Sequence, residues 1–548
     1  MSEHLIDAER ENPMQDPNLP SLRFLHSGFH ASARRHADRP ALSLAGDTWT
    51  YAELDRVARQ WAAALLRVSA RPRRVGVLGH RSLVTYAGFL AALYAGAAAV
   101  PLNKKYPAAR NQDIVERSGL DAVLSDDGAV AQLVPLLSTL DETPPVLLPE
   151  TDDVPYGLPS GTRVLTRRDI EGGSLLPEPV FGDPDDTAYL LFTSGSTGWP
   201  KGVPIAHAHV TSFLRVNSER YDFTPEDRFT NTFDQTFDLS VFDLFMAWGS
   251  GGCLVPMDGP DLRSPVDFVR ERGITVWFSV PSVAVLQQRG GALAPGSMPT
   301  LRWSLFCGEA LPASAAAAWQ AAAPHSVVEN LYGPTEATIA CMAHRWDPVR
   351  SPGLSVNGVV PIGTPYPGME AELFAEDGGV VPDGATGEIC LKGPQVFEGY
   401  WRDPEQTRRS FHTRANGRWY RTGDLGRRAP DGAFIFLGRL DSQVKILGHR
   451  VETGEVEAHL RQQAGVDQAV VVAVPGEDDS TTVLAAILSG PDPDAYAIEK
   501  GLRDSLPSYM IPFSFHLVDE LPLNANGKVD RWALRDQVLS GELEPLPL

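Results

Sequence analysis

A loop rich in glycine and hydroxyl side chains follows an apolar run near the middle of the chain. The run, Tyr-Leu-Leu-Phe at 189–192, has the composition of a buried strand. Residues 193–198 read Thr-Ser-Gly-Ser-Thr-Gly, and Lys201 follows shortly after. Backbone N–H groups, hydroxyls and a lysine at such a turn can hold a polyphosphate, and glycine lets the backbone approach it closely. A plain surface loop is the alternative interpretation, because Ser/Gly clusters usually mark turns.

The spacing differs from that of P-loop NTPases, in which Gly-Lys is followed by Ser or Thr at the start of a helix. Here Lys201 lies between Pro200 and Gly202, where a helix does not continue. We therefore expect this loop to bind phosphate in a different structural frame.

Strands and helices alternate on both sides of the loop, which predicts α/β layers. Predicted strands include 74–78, 229–233, 252–255 and 274–278, and predicted helices include 83–95 and 208–220. Residues 137–180 are rich in proline and are expected to form loops. Short strands with Gly and Pro turns at 355–440 predict an antiparallel subdomain. A boundary after residue 440 separates a large domain, 1–440, from a small unit, 441–548.

The overall composition is that of a globular protein with an acidic surface. The 548 residues are 43% hydrophobic and carry a net charge of −21, which argues against a nucleic-acid or membrane-surface partner. The longest apolar stretch, 89–102, is too short to span a membrane, and the polar start of the chain lacks a signal core. Cys253, Cys307, Cys341 and Cys390 lack metal-ligand spacing. We expect a cytoplasmic monomer with reduced cysteines.

Nine short motifs occur in order along the chain. They are TYAEL (50–54), AGAAAVPL (95–102), the loop at 190–202, NLYGPTE (330–336), GEIC (387–390), YRTGDL (420–425), GRLDSQVK (438–445), LPSYMIP (506–512) and NGKVDR (526–531). Together they resemble the core motifs of the adenylate-forming superfamily of acyl-CoA synthetases, luciferases and nonribosomal peptide synthetase adenylation domains. The chain is identified as a free-standing amino-acid adenylation enzyme of this superfamily, similar to L-prolyl-AMP ligases.

The resemblance implies a large N-terminal domain of layered α/β subdomains with a small antiparallel β subdomain. A small mobile C-terminal α+β domain would turn about a hinge at Asp441. The cofactors implied are ATP and Mg²⁺, with Glu336 as the metal ligand. The catalytic residues implied are Thr335 at the α-phosphate, Lys528 between the substrate carboxylate and the phosphate, and Lys445 at the channel for a pantetheine thiol. The residues expected to bind ATP are Thr193, Ser194, Gly195, Ser196, Thr197, Gly198, Lys201, Gly308, Glu309, Ala310, Asn330, Tyr332, Gly333, Asp424 and Arg439.

Asp238 favours the branch of the superfamily that activates amino acids. It occupies the position at which those members carry an acid for the substrate's α-ammonium, and an unpaired buried acid is costly. The alternative is that Asp238 caps a helix beginning at Leu239. Alignment with the family's motifs predicts which residues line the side-chain pocket: Leu239, Phe242, Phe278, Leu305, Cys307, Leu331, Ile339 and Ala340. This uncharged pocket predicts a small apolar amino acid, with L-proline first and cysteine, alanine and valine as alternatives.

Two other classes of function stay open on the sequence. An acyl- or aryl-CoA synthetase is disfavoured by Asp238, and a degenerate binding module is disfavoured by the intact Lys528, Glu336 and Asp424. Because no carrier-protein segment follows residue 531, we expect the aminoacyl group to pass to the phosphopantetheine thiol of a separate carrier protein. CoA is the weaker candidate for the acceptor.

Overall fold

The computed structural model describes residues 23–195, 199–258, 261–382, 384–440, 443–476, 481–491, 493–522 and 529–547. Within these segments the strands form three sheets in the large N-terminal part and two in the small C-terminal part. The helices of these segments include none that is long and apolar enough to cross a membrane.

A seven-stranded sheet carries the phosphate loop. The chain up to Ala206 supplies α1 (Ser27–Arg35), β1 (Pro40–Leu44), β2 (Asp47–Thr50), α2 (Tyr51–Val68), β3 (Arg74–Gly79), α3 (Leu83–Tyr94), β4 (Ala98–Asn103), α4 (Ala108–Ser118), β5 (Ala122–Ser125), α5 (Val130–Leu137), β6 (Val146–Leu148), β7 (Val164–Thr166), α6 (Arg167–Glu171), β8 (Thr187–Thr193) and β9 (Lys201–Ala206). The sheet order is β7-β6-β5-β3-β4-β8-β9, and its pairs are parallel except for the β8–β9 hairpin. The loop therefore connects two antiparallel strands.

Local sequence explains why the long helix α2 begins where it does. The Thr50 side chain accepts a hydrogen bond from Glu53 N, and the Glu53 carboxylate accepts one from Thr50 N. This capping box satisfies two N–H groups that the helix itself cannot pair. Leu54, Trp61 and Leu65 then recur at helical spacing and are buried in the large apolar core.

A nine-stranded sheet brings the predicted pocket residues together. The next elements are α7 (His207–Arg220), β10 (Arg228–Asn231), α8 (Leu239–Gly249), β11 (Cys253–Pro256), α9 (Pro265–Arg272), β12 (Val276–Ser279), α10 (Pro281–Arg289), β13 (Trp303–Phe306), α11 (Ala313–Ala322), β14 (Val327–Tyr332), β15 (Met342–Arg345), α12 (Ser351–Leu354) and β16 (Thr364–Pro365). The order is β16-β15-β14-β13-β12-β10-β11-β1-β2. Because β12, β13 and β14 are parallel, their carboxyl ends meet at one edge of the sheet.

An antiparallel sheet and a separate small part complete the chain. The former has β17 (Glu370–Phe374), β18 (Thr386–Lys392), α13 (Pro404–Arg409), β19 (Phe411–Arg414), β20 (Gly417–Arg428) and β21 (Phe434–Arg439). The latter has β22 (Gln443–Ile446), β23 (His449–Glu452), α14 (Thr453–Leu460), β24 (Gln468–Pro475), β25 (Thr482–Ser489), α15 (Ala495–Arg503), β26 (Ser514–Leu517) and α16 (Arg531–Ser540). The small part has an apolar core of its own, which includes Val456, Leu484 and Phe515.

Most predicted elements are confirmed, and one predicted loop region is wrong. Residues 137–180 contain β6, β7 and α6, since the short apolar runs there complete the edge of the first sheet despite the prolines between them. Sequence analysis also missed β9, β23 and β26. Each is a short strand whose partner, rather than its own composition, fixes it in the sheet.

Candidate active site

One cavity between the large and small parts collects many of the residues that the motifs predicted. Its wall includes residues just beyond the carboxyl ends of β8, β13 and β14, the edge at which open α/β sheets bind ligands. The predicted residues that line it are Thr193, Ser194, Asp238, Leu239, Cys307, Gly308, Tyr332, Gly333, Thr335, Ile339, Asp424, Arg439 and Lys445. Gly448, expected beside Lys445 at the entry for the pantetheine thiol, also lines it. Tyr106, Arg110, Arg450 and Tyr509 line it as well, although the sequence had not predicted them there.

The described end of the phosphate loop contacts the small part. The Ser194 hydroxyl donates to the carbonyl oxygen of Arg450 at 2.6 Å and accepts from Glu452 N at 3.1 Å. Gly195 N donates to Glu455 Oε2 at 3.1 Å. These polar groups are therefore used by protein partners in this arrangement.

Glu336 is a fully buried carboxylate in the short 3₁₀ helix Thr335–Ala337. The Tyr400 hydroxyl donates to its Oε1 at 2.7 Å, and Arg450 Nη1 lies 2.7 Å from its Oε2. The Lys201 ammonium lies 3.9 Å from Oε1. Burial alone would raise the pKa of Glu336, but Arg450, Lys201 and the Tyr400 hydroxyl lower it to about 2. Glu336 is thus ionised at neutral pH, and its oxygens are the hard donors that Mg²⁺ prefers.

Tyr332 and Asp424 meet at the predicted nucleotide end of the cavity. The Tyr332 hydroxyl donates to Asp424 Oδ2 at 2.5 Å, and Arg439 donates to Asp424 Oδ1. The antiparallel register of β20 and β21 sets Asp424 opposite Arg439. The side-chain Nδ2 of Asn330 donates to the carbonyl oxygens of residues 360 and 361. Its Oδ1 has no hydrogen-bond partner among the described residues. Its role at the adenine stays a prediction.

Asp238 is buried in the cavity wall and accepts a hydrogen bond from Ile339 N at 3.0 Å. It occupies the N-cap position of α8, as the alternative interpretation predicted, but the bond that its side chain accepts comes from this distant loop. Burial raises the pKa of Asp238 to about 6. A cation beside the carboxylate would favour its ionised form.

The loop that binds Asp238 has a strained backbone. Thr338 and Ile339 have φ angles of 58° and 71°, a region that non-glycine residues rarely adopt, β-branched ones least of all. Gln395 holds the loop on its other side: its carbonyl oxygen accepts from the Thr338 hydroxyl at 2.6 Å, and its Nε2 donates to the Ala340 carbonyl at 2.8 Å. Sequence analysis missed Gln395, because only the fold brings it to this loop.

The residues predicted to form the side-chain pocket are buried apolar residues. Leu239, Phe242, Phe278, Leu305, Cys307, Leu331, Ile339 and Ala340 are all buried and belong to one apolar core. The Phe278 ring packs edge-on at 4.9 Å from the Phe242 ring and at 5.0 Å from the Phe233 ring. Burial raises the pKa of the Cys307 thiol to about 12, so it is uncharged at neutral pH. Of the eight, Leu239, Cys307 and Ile339 line the cavity, and the other five lie in the core without lining it.

The β22–β23 hairpin reaches into the cavity from the small part. Lys445 lines the cavity, and Gly448 N donates to Glu309 Oε1 at 2.5 Å. The other oxygen of Glu309 accepts from Ser282 N at 2.9 Å. Gly448 has a φ of 81°, and a Cβ there would lie 2.3 Å from Val280 Cγ1. Only glycine fits this contact without a shift of the hairpin.

Aromatic side chains from both parts form another side of the cavity. The His449 ring stacks on the Tyr509 ring at 3.6 Å, and the Phe237 ring lies edge-on to His449 at 4.6 Å. Burial lowers the pKa of His449 to about 4, so the imidazole is neutral at pH 7. Sequence analysis treated His449 as a surface or packing residue, and the structure shows it packed between the two domains.

Some predicted residues are not placed at the cavity. The described residues that were predicted to bind ATP or metal but do not line it are Gly195, Lys201, Glu309, Ala310, Asn330 and Glu336, of which Ala310 is exposed. The residues that lie outside the described part of the chain are Ser196, Thr197, Gly198, Asp441 and Lys528.

Comparison with known proteins agrees with this geometry. The model for the AMP-binding enzyme matches residues 29–401, and the model for the AMP-binding enzyme C-terminal domain matches residues 455–528. The chain belongs to the AMP-binding enzyme family. This confirms the resemblance drawn from the nine motifs, and the prediction of a large α/β domain with a small C-terminal domain.

Three relatives show what this chain is similar to, and two of them carry an activity or a bound adenylate in their names. An L-proline--[L-prolyl-carrier protein] ligase from Pseudomonas fluorescens is 34% identical over 94% of this chain and 100% of its own. The crystal structure of IdnL7 is 42% identical, with a TM-score of 0.72 over 95% of this chain and 99% of that one. The Vibrio cholerae adenylation domain AlmE, in complex with glycyl-adenosine-5'-phosphate, is 29% identical. Its TM-score is 0.83, with 94% of this chain and 98% of that chain covered. The predicted class, an adenylating ligase, is confirmed.

Proposed function

We propose that this enzyme activates a small apolar amino acid as its aminoacyl-AMP and transfers the aminoacyl group to the phosphopantetheine thiol of a carrier protein. The observation that carries the proposal is Asp238, a buried carboxylate beside an apolar pocket, on the wall of the same cavity as Thr335 and Asp424. An unpaired buried carboxylate is costly, and the α-ammonium of an amino acid is a cation that would pair with it.

In the first step an oxygen of the amino-acid carboxylate attacks the α-phosphorus of ATP. An O–P bond forms, the bond from the α-phosphorus to the bridging oxygen breaks, and pyrophosphate leaves. Two anions must meet, so positioning and charge neutralisation dominate the barrier. We assign the β- and γ-phosphates to Ser194, Gly195 and Lys201, which would first have to leave their partners in the small part, and the α-phosphate to Thr335.

The remaining groups have complementary roles in this step. Glu336 would hold Mg²⁺ once Arg450 and Lys201 release its oxygens, and the ion would supply charge neutralisation at the phosphates. Asp424 accepts from the ribose hydroxyls, with Tyr332 and Arg439 beside it. Lys528 is proposed from its motif alone to bridge the substrate carboxylate and the α-phosphate.

L-Proline is the substrate that we propose first. Its ring is compact and apolar, and its secondary ammonium offers two N–H donors to Asp238. A hydroxyl, amide or acid in this pocket would be left unpaired at a cost of about 1–3 kcal/mol. The proline ligase among the relatives supports this choice. Cysteine, alanine and valine are the alternatives, because one methylene in an apolar pocket is worth only about 1–3 kcal/mol.

In the second step the pantetheine sulfur, after loss of its proton, attacks the carbonyl carbon of the aminoacyl-AMP. A C–S bond forms, the C–O bond to AMP breaks, and AMP leaves. We assign the border of the thiol's path to the hairpin that carries Lys445 and Gly448. Four buried free cysteines suit a reducing compartment, and we place the reaction in the cytoplasm.

Carrier loading tests this proposal directly. The enzyme, ATP, Mg²⁺ and L-proline are mixed with a phosphopantetheinylated carrier protein, and intact-protein mass spectrometry follows the thioester. The expected result is a gain of one prolyl group, absent when the carrier lacks phosphopantetheine. Loading of CoA by a fatty or aromatic acid, with no loading by any amino acid, would establish an acyl-CoA synthetase instead.

A further inference from the structure

Gln395 is a buried residue that contacts the strained loop next to Asp238 at several points. It lies between β18 and α13 and is 1% exposed. Its side-chain Nε2 donates to the carbonyl oxygen of Ala340 at 2.8 Å and lies 3.4 Å from the carbonyl oxygens of Ala337 and Thr338. Its backbone carbonyl oxygen accepts from the Thr338 hydroxyl at 2.6 Å. One residue therefore contacts the whole loop from 337 to 340.

The backbone of this loop needs such contacts to keep its shape. Thr338 and Ile339 have φ angles of 58° and 71°, and both residues are β-branched. These conformations are costly for β-branched residues and persist only where the surrounding structure fixes them. Without the contacts from Gln395, the loop would relax toward ordinary φ angles and turn Ile339 N away from Asp238.

The same loop faces the amino-acid end of the cavity. Ile339 N donates to Asp238 Oδ2 at 3.0 Å, and Ile339 also lines the cavity. Ala340, the next residue, belongs to the set of pocket residues predicted from the sequence. The shape of the loop therefore sets both the orientation of the Asp238 carboxylate and part of the cavity wall beside it.

Other residues of the segment that follows Gln395 hold the predicted metal ligand. Phe397 N donates to the backbone carbonyl oxygen of Glu336 at 2.9 Å, and the Tyr400 hydroxyl donates to its carboxylate at 2.7 Å. Neither bond uses the side chain of Gln395. A substitution of that side chain should therefore loosen the amino-acid end of the loop and leave Glu336 in place.

We propose that Gln395 is a positioning residue for the amino acid, which holds the 337–340 loop so that Ile339 N keeps the Asp238 carboxylate aimed at the substrate's α-ammonium. The inference rests on the proposed function and deepens it, because it adds a residue outside the predicted pocket that determines affinity for the amino acid. Its removal should weaken recognition of the amino acid without changing recognition of ATP.

The experiment compares Gln395→Leu and Thr338→Val with wild type in ATP–pyrophosphate exchange. The first substitution removes the amide donor, and the second removes the hydroxyl but keeps a β-branched side chain. In Gln395→Leu, kcat/KM for L-proline should fall by about tenfold to a hundredfold, because the carboxylate is misplaced. Thr338→Val should show a smaller fall and carries the test if the other variant does not fold. KM for ATP should be unchanged in both.

The pH profile gives a readout that a general loss of stability would not move. Burial raises the pKa of Asp238 to about 6, the bond from Ile339 N lowers it, and the Glu336 carboxylate raises it. The Tyr189 phenol and the Cys307 thiol lie near it, and burial keeps both uncharged. Loss of the Ile339 bond should raise the pKa further, so the acid limb of kcat/KM should move up by about half to one pH unit in the first variant.

Gln320→Leu is the matched control. The Gln320 side chain also donates to two backbone carbonyl oxygens, those of Ala323 at 3.1 Å and Ser326 at 2.9 Å. These three residues all belong to the described part of the chain, and none of them lines the cavity. The substitution should lower the melting temperature, as Gln395→Leu does, but leave KM for proline and the pH profile unchanged.

Hydrogen–deuterium exchange of the free enzyme measures the loop without any substrate. Peptides that cover residues 335–343 should exchange faster in Gln395→Leu than in wild type, and at the wild-type rate in Gln320→Leu. Unchanged exchange of these peptides, an unchanged KM for proline, or equal rises in KM for proline and ATP would overturn the inference. If wild type activates no amino acid, the proposed function fails, and the deuterium exchange still decides whether Gln395 holds the loop.

Discussion

Replacing Asp238 by Asn separates its charge from its structural contact. An asparagine Oδ1 can still accept from Ile339 N, the bond that the carboxylate accepts at 3.0 Å. The charge that faces the α-ammonium is lost. Removing one partner of a buried pair costs about 3–5 kcal/mol. At about 1.36 kcal/mol per tenfold, this predicts a fall in kcat/KM for the amino acid of about 150-fold to 5,000-fold.

The assay is ATP–pyrophosphate exchange with varied amino acid, and ATP binding is titrated separately. Affinity for ATP should stay within about twofold, since the proposal assigns Asp238 to the amino acid and not to the nucleotide. Asp238→Ala should lose as much activity and should also lower the melting temperature, because Ile339 N loses its partner on a strained loop. Equal losses in ATP and amino-acid affinity for Asp238→Asn would refute a pairing role.

The same residue predicts a pH dependence. Burial raises the pKa of Asp238 to about 6 in the free enzyme. Below that pH the carboxyl is protonated and neutral, so kcat/KM for the amino acid should fall about tenfold per pH unit as pH decreases. The fall should be absent in Asp238→Asn. A wild-type profile that stays flat from pH 7 to pH 5 would contradict this assignment.

Three further substitutions test other parts of the site. Lys528→Ala should lower exchange by about 10²–10³-fold while transfer from supplied prolyl-AMP persists, and equal losses in both assays would contradict its role. Gly448→Val should slow transfer far more than exchange, because a Cβ at this position would lie 2.3 Å from Val280 Cγ1. Normal transfer by that variant would show that the hairpin contact is not needed. Phe278→Leu should raise the ratio of leucine-dependent to proline-dependent exchange by about tenfold, and an unchanged ratio would remove Phe278 from the specificity pocket.

Local patterns predicted much of the fold and of the site. The buried strands and amphipathic helices were predictable because the spacing of their apolar residues is itself the signal. The motifs predicted that Asp238, Tyr332, Thr335 and Asp424 share one site, and all four line one cavity. Each of them belongs to a regular element or lies next to one, so its position follows from the fold.

Contacts between distant segments of the chain could not be predicted from the sequence. Arg450 pairs with Glu336 only because the small domain is docked, and no spacing links the two residues. Gln395 holds the 338–340 loop through its backbone and side chain, which composition does not reveal. The strand β9 was missed because its pairing with β8, rather than its own residues, determines it.

The most direct test of the central claim is ATP–pyrophosphate exchange measured with each of the twenty amino acids at equal concentration. We expect strong exchange with L-proline, weaker exchange with alanine, valine and cysteine, and little with charged or aromatic amino acids. Exchange with cysteine or valine above that with proline would contradict the specificity drawn from Phe278 and Cys307. Exchange with fatty or aromatic acids, and with no amino acid, would contradict the account as a whole.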